Sequence, residues 1–109
     1  MILETIRMTI PPEKRNEALQ ILRSMAEQFK VDSGCLGWHI YEDVQEDNVL
    51  MVEGIWRSEE DLKRHLRSEE YRNVLMVMEM ALKHPEVKFD TVSTSEGMAM
   101  IEEARGLAR

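Results

Sequence analysis

One histidine combines a chemically useful side chain with a defined setting. His65 follows Leu62 by three residues and directly precedes Leu66, and the two leucines share one face of a predicted short helix. The imidazole is therefore expected beside an apolar face, close to the sheet. Histidine can take up and return a proton near neutral pH, which suits general acid–base catalysis. A structural histidine at the core edge, hydrogen-bonded to backbone, is the alternative.

Three further side chains are predicted to wall a pocket around this histidine. Trp56 lies at the junction between a predicted strand and the helix that carries His65, where its indole can stack on a flat aromatic substrate. Tyr71 can donate a phenolic hydrogen bond to a substrate oxygen, and Met8 offers an adaptable apolar contact. The structural alternatives are core or interface packing for Trp56 and Met8, and a half-buried ring with a solvated hydroxyl for Tyr71.

The sequence contains no pattern typical of a metal or nucleotide site. His39, His65 and His84 fall on different predicted elements, and neither His-x-x-x-His nor Cys-x-x-Cys occurs. A Gly-rich phosphate loop, a dinucleotide fingerprint and a nucleophile elbow are also absent from the sequence. We therefore predict no cofactor and no metal. An enzyme of this sequence would rely on a pocket and one acid–base group.

Composition limits the possible partners. The 109 residues are enough for one domain with one core, and the formal net charge of −7 argues against nucleic acid and anionic membranes as partners. The single cysteine, Cys35, excludes an intrachain disulfide and favours a cytoplasmic location. Glu4 and Arg7 interrupt the first apolar run, so a signal peptide is not predicted, and no run reaches the roughly 18 apolar residues of a membrane span.

Local signals place the helix that carries the histidine. Ser58 is a suitable N-cap, and Asp61 three residues later completes a pair similar to a capping box. Ser68 can cap the next helix. These signals predict helices over residues 58–67 and 69–83.

Periodicity predicts the remaining elements. Residues 2–10 alternate as a strand, with one fully apolar face formed by Ile2, Ile6, Met8 and Ile10. A helix is expected over 13–30, ended by Gly34 as a left-handed cap. Further strands are predicted at 35–44, 49–56 and 86–94. A short helix from Ser95 to Arg105 would form a C-terminal extension, residues 95–107, of a single domain spanning 1–109.

This order, β-α-β-β-α-β, predicts an α+β, ferredoxin-like fold with a four-stranded antiparallel sheet. The helices can cover only one face of that sheet. The other face carries Leu3, Thr5 and Arg7, together with one side of each remaining strand, and would expose much apolar surface in a monomer. We therefore expect a homodimer joined through the sheet faces.

Three segments resemble the antibiotic biosynthesis monooxygenase family of dimeric α/β-barrel domains. Glu53-x-x-Trp56 followed by the Ser-capped helix is similar to that family's strand-to-helix passage. The segment 34–38 resembles its Gly-Cys strand start, and 87–92 its last strand. The resemblance implies the same fold, a dimer, and a pocket between the helices and the sheet.

The resemblance also implies an activity. The functional positions of the haem-degrading branch fall on Ile6, His65 and Leu75, and its Asn, Trp and iron-ligating His are absent there. Haem degradation is therefore disfavoured. The quinol-oxidising branch implies a cofactor-free monooxygenase acting on a quinol-like or phenolic small molecule, with His65 transferring the proton. A non-catalytic ligand-binding or stress-response protein with the same fold is the alternative.

Overall fold

The computed structural model describes residues 1–107, which form a four-stranded antiparallel sheet with helices on one face. The elements in chain order are β1 (Ile2–Thr9), α1 (Arg15–Phe29), β2 (Cys35–Glu42), β3 (Val49–Trp56), α2 (Glu59–Arg67), α3 (Tyr71–Glu79), β4 (Glu86–Thr91) and α4 (Met98–Ala104). The strand order is β2-β3-β1-β4. The predicted ferredoxin-like α+β fold is confirmed.

The central strand β1 separates the two faces of the sheet. Alternate residues from Ile2 to Met8 are buried beneath the helices, while those between them are partly exposed on the opposite face. The predicted fully apolar face is wrong at one position, because Glu4 lies in that buried row and is 0% exposed. The rest of the row packs into the core with residues such as Val52 and Val74.

Tertiary contacts shorten several predicted elements. The predicted 69–83 helix ends at Glu79, because the chain then turns and the Leu82 N–H donates to the Thr9 carbonyl at the end of β1, 2.9 Å away. The last strand ends at Thr91. The final helix begins at Met98 with Gly97 at its N-cap and no side-chain cap, so the start predicted at Ser95 is wrong.

Helix α4 is largely exposed to solvent. Six of its seven residues are exposed, and Met98 and Ile101 have relative exposures of 66% and 53%. Among residues 1–107, no helix is both long and apolar enough to cross a membrane.

Candidate functional site

The first turn of α2 is held by a closed set of hydrogen bonds. The Asp61 N–H donates to Ser58 Oγ at 3.2 Å, and the Ser58 hydroxyl donates to Asp61 Oδ2 at 2.8 Å. Arg64 donates to Asp61 Oδ1 at 2.7 Å. The Ser58 donor and then Arg64 hold the pKa of the Asp61 carboxyl below its usual value. The predicted cap is confirmed, and it fixes where His65, one turn later, enters the fold.

The same turn is pressed against the start of β2. A Cβ on Gly34 would lie 2.3 Å from Asp61 Cγ, so only glycine permits this approach. Gly34 is not left-handed, since Asn48 and Gly106 are the positions of positive φ within residues 1–107. The prediction of a left-handed cap at Gly34 is therefore wrong, and close packing is what requires the glycine.

Ser68 joins the end of α2 to the start of α3. Its hydroxyl donates to the His65 carbonyl at 2.7 Å and accepts from the Tyr71 N–H at 3.3 Å. One side chain thus satisfies a carbonyl at the end of one helix and an N–H at the start of the next. The N-cap of α3 is Glu70, so the prediction that Ser68 caps this helix is wrong in position. The two Ser68 hydrogen bonds still fix the His65 carbonyl and the Tyr71 N–H relative to each other.

One row of paired residues crosses the sheet and contains Glu4. Strand pairing sets Phe89, Glu4, Gly54 and Trp38 side by side across β4, β1, β3 and β2. A Cβ on Gly54 would lie 2.7 Å from Glu4 Oε1 and 2.9 Å from Trp56 Nε1. The glycine therefore leaves the space in which the Glu4 carboxylate and the Trp56 indole meet.

Glu4 accepts two hydrogen bonds in the interior of the protein. Trp56 Nε1 donates to its Oε1 at 3.0 Å, and the Tyr71 hydroxyl donates to its Oε2 at 3.2 Å. Burial, followed by the negative charge of Glu4, raises the pKa of the Tyr71 phenol. The Tyr71 ring is 6% exposed, so the alternative of a solvated hydroxyl is wrong.

His65 lies above this carboxylate in an aromatic enclosure. The imidazole stacks on Trp56 with ring centroids 4.1 Å apart, and the rings of Phe29 and Tyr71 meet it edge-on at 4.6 and 4.8 Å. His65 Nε2 is 3.2 Å from Glu4 Oε1, which is ion-pair distance, but the two groups are not aligned as a hydrogen bond. Within residues 1–107, both imidazole nitrogens lack a hydrogen-bond partner. The alternative of a histidine bonded to backbone through its ring is therefore wrong.

A cavity of about 600 Å³ reaches His65 from the helix side. Its volume is within the range of small-molecule sites. The cavity lies between the end of α1, helix α2 and the α2–α3 junction. Its lining residues are Gln28, Phe29, Val31, Asp32, Arg64, His65, Ser68 and Glu70. The expected pocket between helices and sheet thus opens between helix ends instead, and no strand residue lines it.

The structure separates the residues predicted to wall the pocket. Trp56 on β3 and Tyr71 on α3 contact the His65 ring, and neither is among the lining residues of the cavity. Met8 is 1% exposed in the core and does not line the cavity either. Phe29 belongs to the buried core cluster and also lines the cavity. No group of three or more His, Cys, Asp or Glu suited to a metal occurs among residues 1–107.

Glu4 is the site residue that sequence reasoning missed. Its signal was present, because a carboxylate stands between Ile2 and Ile6 on the apolar face of a strand. A charged residue at a core position is rare unless it is paired. The alternation therefore marked Glu4 as a buried polar group whose partners should be sought.

Taken together, these elements define a small α+β domain with a buried imidazole and carboxylate beside a cavity. A family model described as "Antibiotic biosynthesis monooxygenase" matches residues 1–75, more than half of the chain. The chain belongs to the antibiotic biosynthesis monooxygenase family.

Two solved structures share this fold, and one further protein is similar in sequence. A conserved protein from Methanosarcina mazei Go1 superposes with a TM-score of 0.77 at 22% identity, covering 82% of this chain and 89% of that one. Rv0793 from Mycobacterium tuberculosis superposes with a TM-score of 0.79 at 20% identity, covering 88% of this chain and 98% of that one. The uncharacterized protein sll1783 of Synechocystis sp. is 27% identical over 59 residues, 54% of this chain. That match spans 40% of the Synechocystis protein.

Proposed function

We propose that this protein is a cofactor-independent monooxygenase that oxidises a quinol-like or phenolic small molecule, with His65 as the proton-transfer group. The observation that carries the proposal is the setting of His65. Within residues 1–107, its two buried ring nitrogens have no hydrogen-bond partner, and the imidazole lies within an aromatic enclosure. His65 is also among the residues that line a cavity large enough for a small aromatic molecule. Family membership supports the class of reaction.

The reaction balances without an additional reductant. A hydroquinone and O₂ yield a hydroxyquinone and water, with one oxygen atom entering the ring and the other leaving as water. The substrate supplies all four electrons. The protein then needs only to bind the ring, exclude water and move the phenolic proton, and removing that proton makes the substrate a better electron donor.

The residues around His65 suit these tasks. Phe29 offers an aromatic edge at the cavity wall, and Arg64 lies in the lining, where it can contact a substrate oxygen. Trp56 and Tyr71 each contact both His65 and Glu4, and their role in this proposal is to hold these two side chains in place. Direct contact of Trp56, Tyr71 or Met8 with substrate stays a prediction, which would require the cavity to extend inward on binding.

The proposal includes a homodimer joined through the sheet face opposite the helices. That face carries partly exposed side chains such as Leu3, Met51 and Ile55, together with the exposed Tyr41. Pairing two such faces would remove their apolar surface from water. A stable monomer at micromolar concentration in sedimentation equilibrium would contradict it. A cytoplasmic location remains a prediction from the single cysteine.

An oxygen-electrode screen tests the activity. Purified protein is supplied with a panel of quinols and phenols, and oxygen uptake is compared with that of His65→Ala and, as a matched control, the exposed His84→Ala. We expect uptake with at least one compound, lost on the order of 10²–10⁴-fold in His65→Ala and retained in His84→Ala. Binding of a panel compound without oxygen uptake would favour the alternative of a non-catalytic ligand-binding protein.

A further inference from the structure

The fully buried carboxylate of Glu4 calls for a reason beyond stability. Burying a charge away from water costs several kcal/mol, and a buried ion pair is commonly matched or exceeded in stability by apolar residues of similar size. Glu4 is 0% exposed on a strand face that is otherwise apolar. An isoleucine would continue the pattern of Ile2 and Ile6 without that cost.

The contacts of Glu4 fix it against the imidazole. Its Oε1 is shared by Trp56 Nε1 at 3.0 Å and His65 Nε2 at 3.2 Å, while Tyr71 holds Oε2 at 3.2 Å. Two donors from different elements thus hold the carboxylate still. Among the charged residues that line the cavity, Arg64 donates to Asp61 and Asp32, and Glu70 is exposed.

Resting on the proposed function, we propose that Glu4 is a positioning residue whose negative charge stabilises the imidazolium formed when His65 takes the phenolic proton. In that step the substrate O–H bond breaks and an N–H bond forms on His65. The substrate becomes a phenolate, and the positive charge on the ring is offset by Glu4. His65 later returns the proton to oxygen as O₂ is reduced by the substrate. A carboxylate 3.2 Å from the ring attracts the positive charge that this step places on the imidazole.

The proposed role does not require the Glu4 carboxylate and the His65 imidazole to be aligned as a hydrogen bond. Electrostatic stabilisation depends on the 3.2 Å separation and not on a straight N–H···O line. Trp56 contributes twice, because it stacks on the imidazole and donates to the carboxylate. It thereby fixes the relative positions of the two charged groups.

Glu4→Gln tests the role, since glutamine keeps the shape and removes the charge. We expect kcat to fall on the order of 10²-fold or more with KM changed little, as for loss of an interaction made only in the transition state. Glu4→Asp, which keeps the charge one methylene further back, should recover part of the rate. The control is Glu17→Gln, which makes the same change at an exposed carboxylate on α1.

A second readout does not depend on turnover. ¹⁵N NMR of the imidazole distinguishes the neutral from the doubly protonated ring, and at one fixed pH the His65 imidazolium fraction should be lower in Glu4→Gln than in the parent. An unchanged fraction overturns the proposal, as does a lowered fraction with kcat unchanged. If no compound is turned over, the monooxygenase assignment fails while the NMR comparison still decides whether Glu4 stabilises the imidazolium. If Glu4→Gln does not fold, Glu4→Asp takes its place, and an imidazolium fraction equal to the parent's would then overturn the proposal.

Discussion

Removing the Tyr71 hydroxyl probes the hydrogen bonds around Glu4 with the smallest change in volume. Tyr71→Phe deletes the donor 3.2 Å from Glu4 Oε2 and leaves the ring contact with His65 in place. Because Glu4 is 0% exposed, water cannot replace the lost donor. Hydrogen bonds to charged groups contribute about 1.5–3 kcal/mol, compared with about 0.5–1.5 kcal/mol for neutral pairs. We therefore expect Tyr71→Phe to lower the free energy of unfolding by about 1.5–3 kcal/mol.

This loss is large enough to measure by thermal unfolding. At about 2.1 cal/mol/K per residue, unfolding 109 residues has an entropy of roughly 0.23 kcal/mol/K, so the melting temperature should fall by about 6–13 °C. Urea unfolding at equal protein concentration gives the free energy directly, and equal concentration matters because a dimer's apparent stability depends on it.

Tyr41→Phe is the matched control. It makes the same chemical change at a tyrosine with a relative exposure of 44%, whose hydroxyl lies 3.4 Å from Glu53 Oε1. Tyr41 lies on the sheet face proposed to pair in the homodimer, so sedimentation first establishes that Tyr41→Phe and the parent have the same oligomeric state. The melting temperature of Tyr41→Phe should then fall by much less than that of Tyr71→Phe. Equal melting temperatures for both variants and the parent would refute the reasoning, because Glu4 would then not depend on Tyr71 for its solvation.

The remaining predictions concern three other positions. His65→Ala leaves a cavity at a residue that is 2% exposed, so its melting temperature should fall, but activity per folded molecule should also fall on the order of 10²–10⁴-fold. A destabilised variant with full activity per folded molecule would contradict the catalytic assignment. Asp61→Asn should be less stable than the parent above pH about 4, and this difference should shrink in urea unfolding as the pH falls below the unfolded-state value of 3.8. Between the folded-state and unfolded-state pKa values of Asp61, the unfolded chain binds more protons than the folded chain. The stability that Asp61 contributes therefore rises with pH across this range. Gly34→Ala should cost about 1–3 kcal/mol, since its Cβ would collide with Asp61, and calorimetry showing no change would contradict the packing described.

Local signals predicted much of the scaffold of the site. Ser58 and Ser68 are hydrogen-bonding residues at helix ends, and their partners lie three residues away, so sequence spacing alone identified both. Alternation along β1 likewise predicted which face is buried. These features depend on neighbours within one turn of helix or one strand.

Long-range contacts could not be predicted in the same way. The donors that hold Glu4 lie 52 and 67 residues away in sequence, and only the folded chain brings them to one carboxylate. The early end of α3 likewise depends on a bond from Leu82 to Thr9, on another element. The cavity opens between helix ends, and periodicity does not encode how helix ends are placed relative to each other. The sequence therefore could not show that Trp56, Tyr71 and Met8, predicted to wall a pocket between helices and sheet, lie outside its lining.

The crowded space at Gly54 limits how this protein can be redesigned. Any side chain there would meet Glu4, Trp56 and Trp38 within about 3.1 Å, so a library that randomises this position should yield mostly misfolded variants. The cavity can instead be diversified at its helix-end rim, where Gln28 and Glu70 are exposed. Substitutions on that side would change which molecules enter while leaving the buried imidazole and carboxylate intact, so changes in substrate range should be easiest to select from the helix ends.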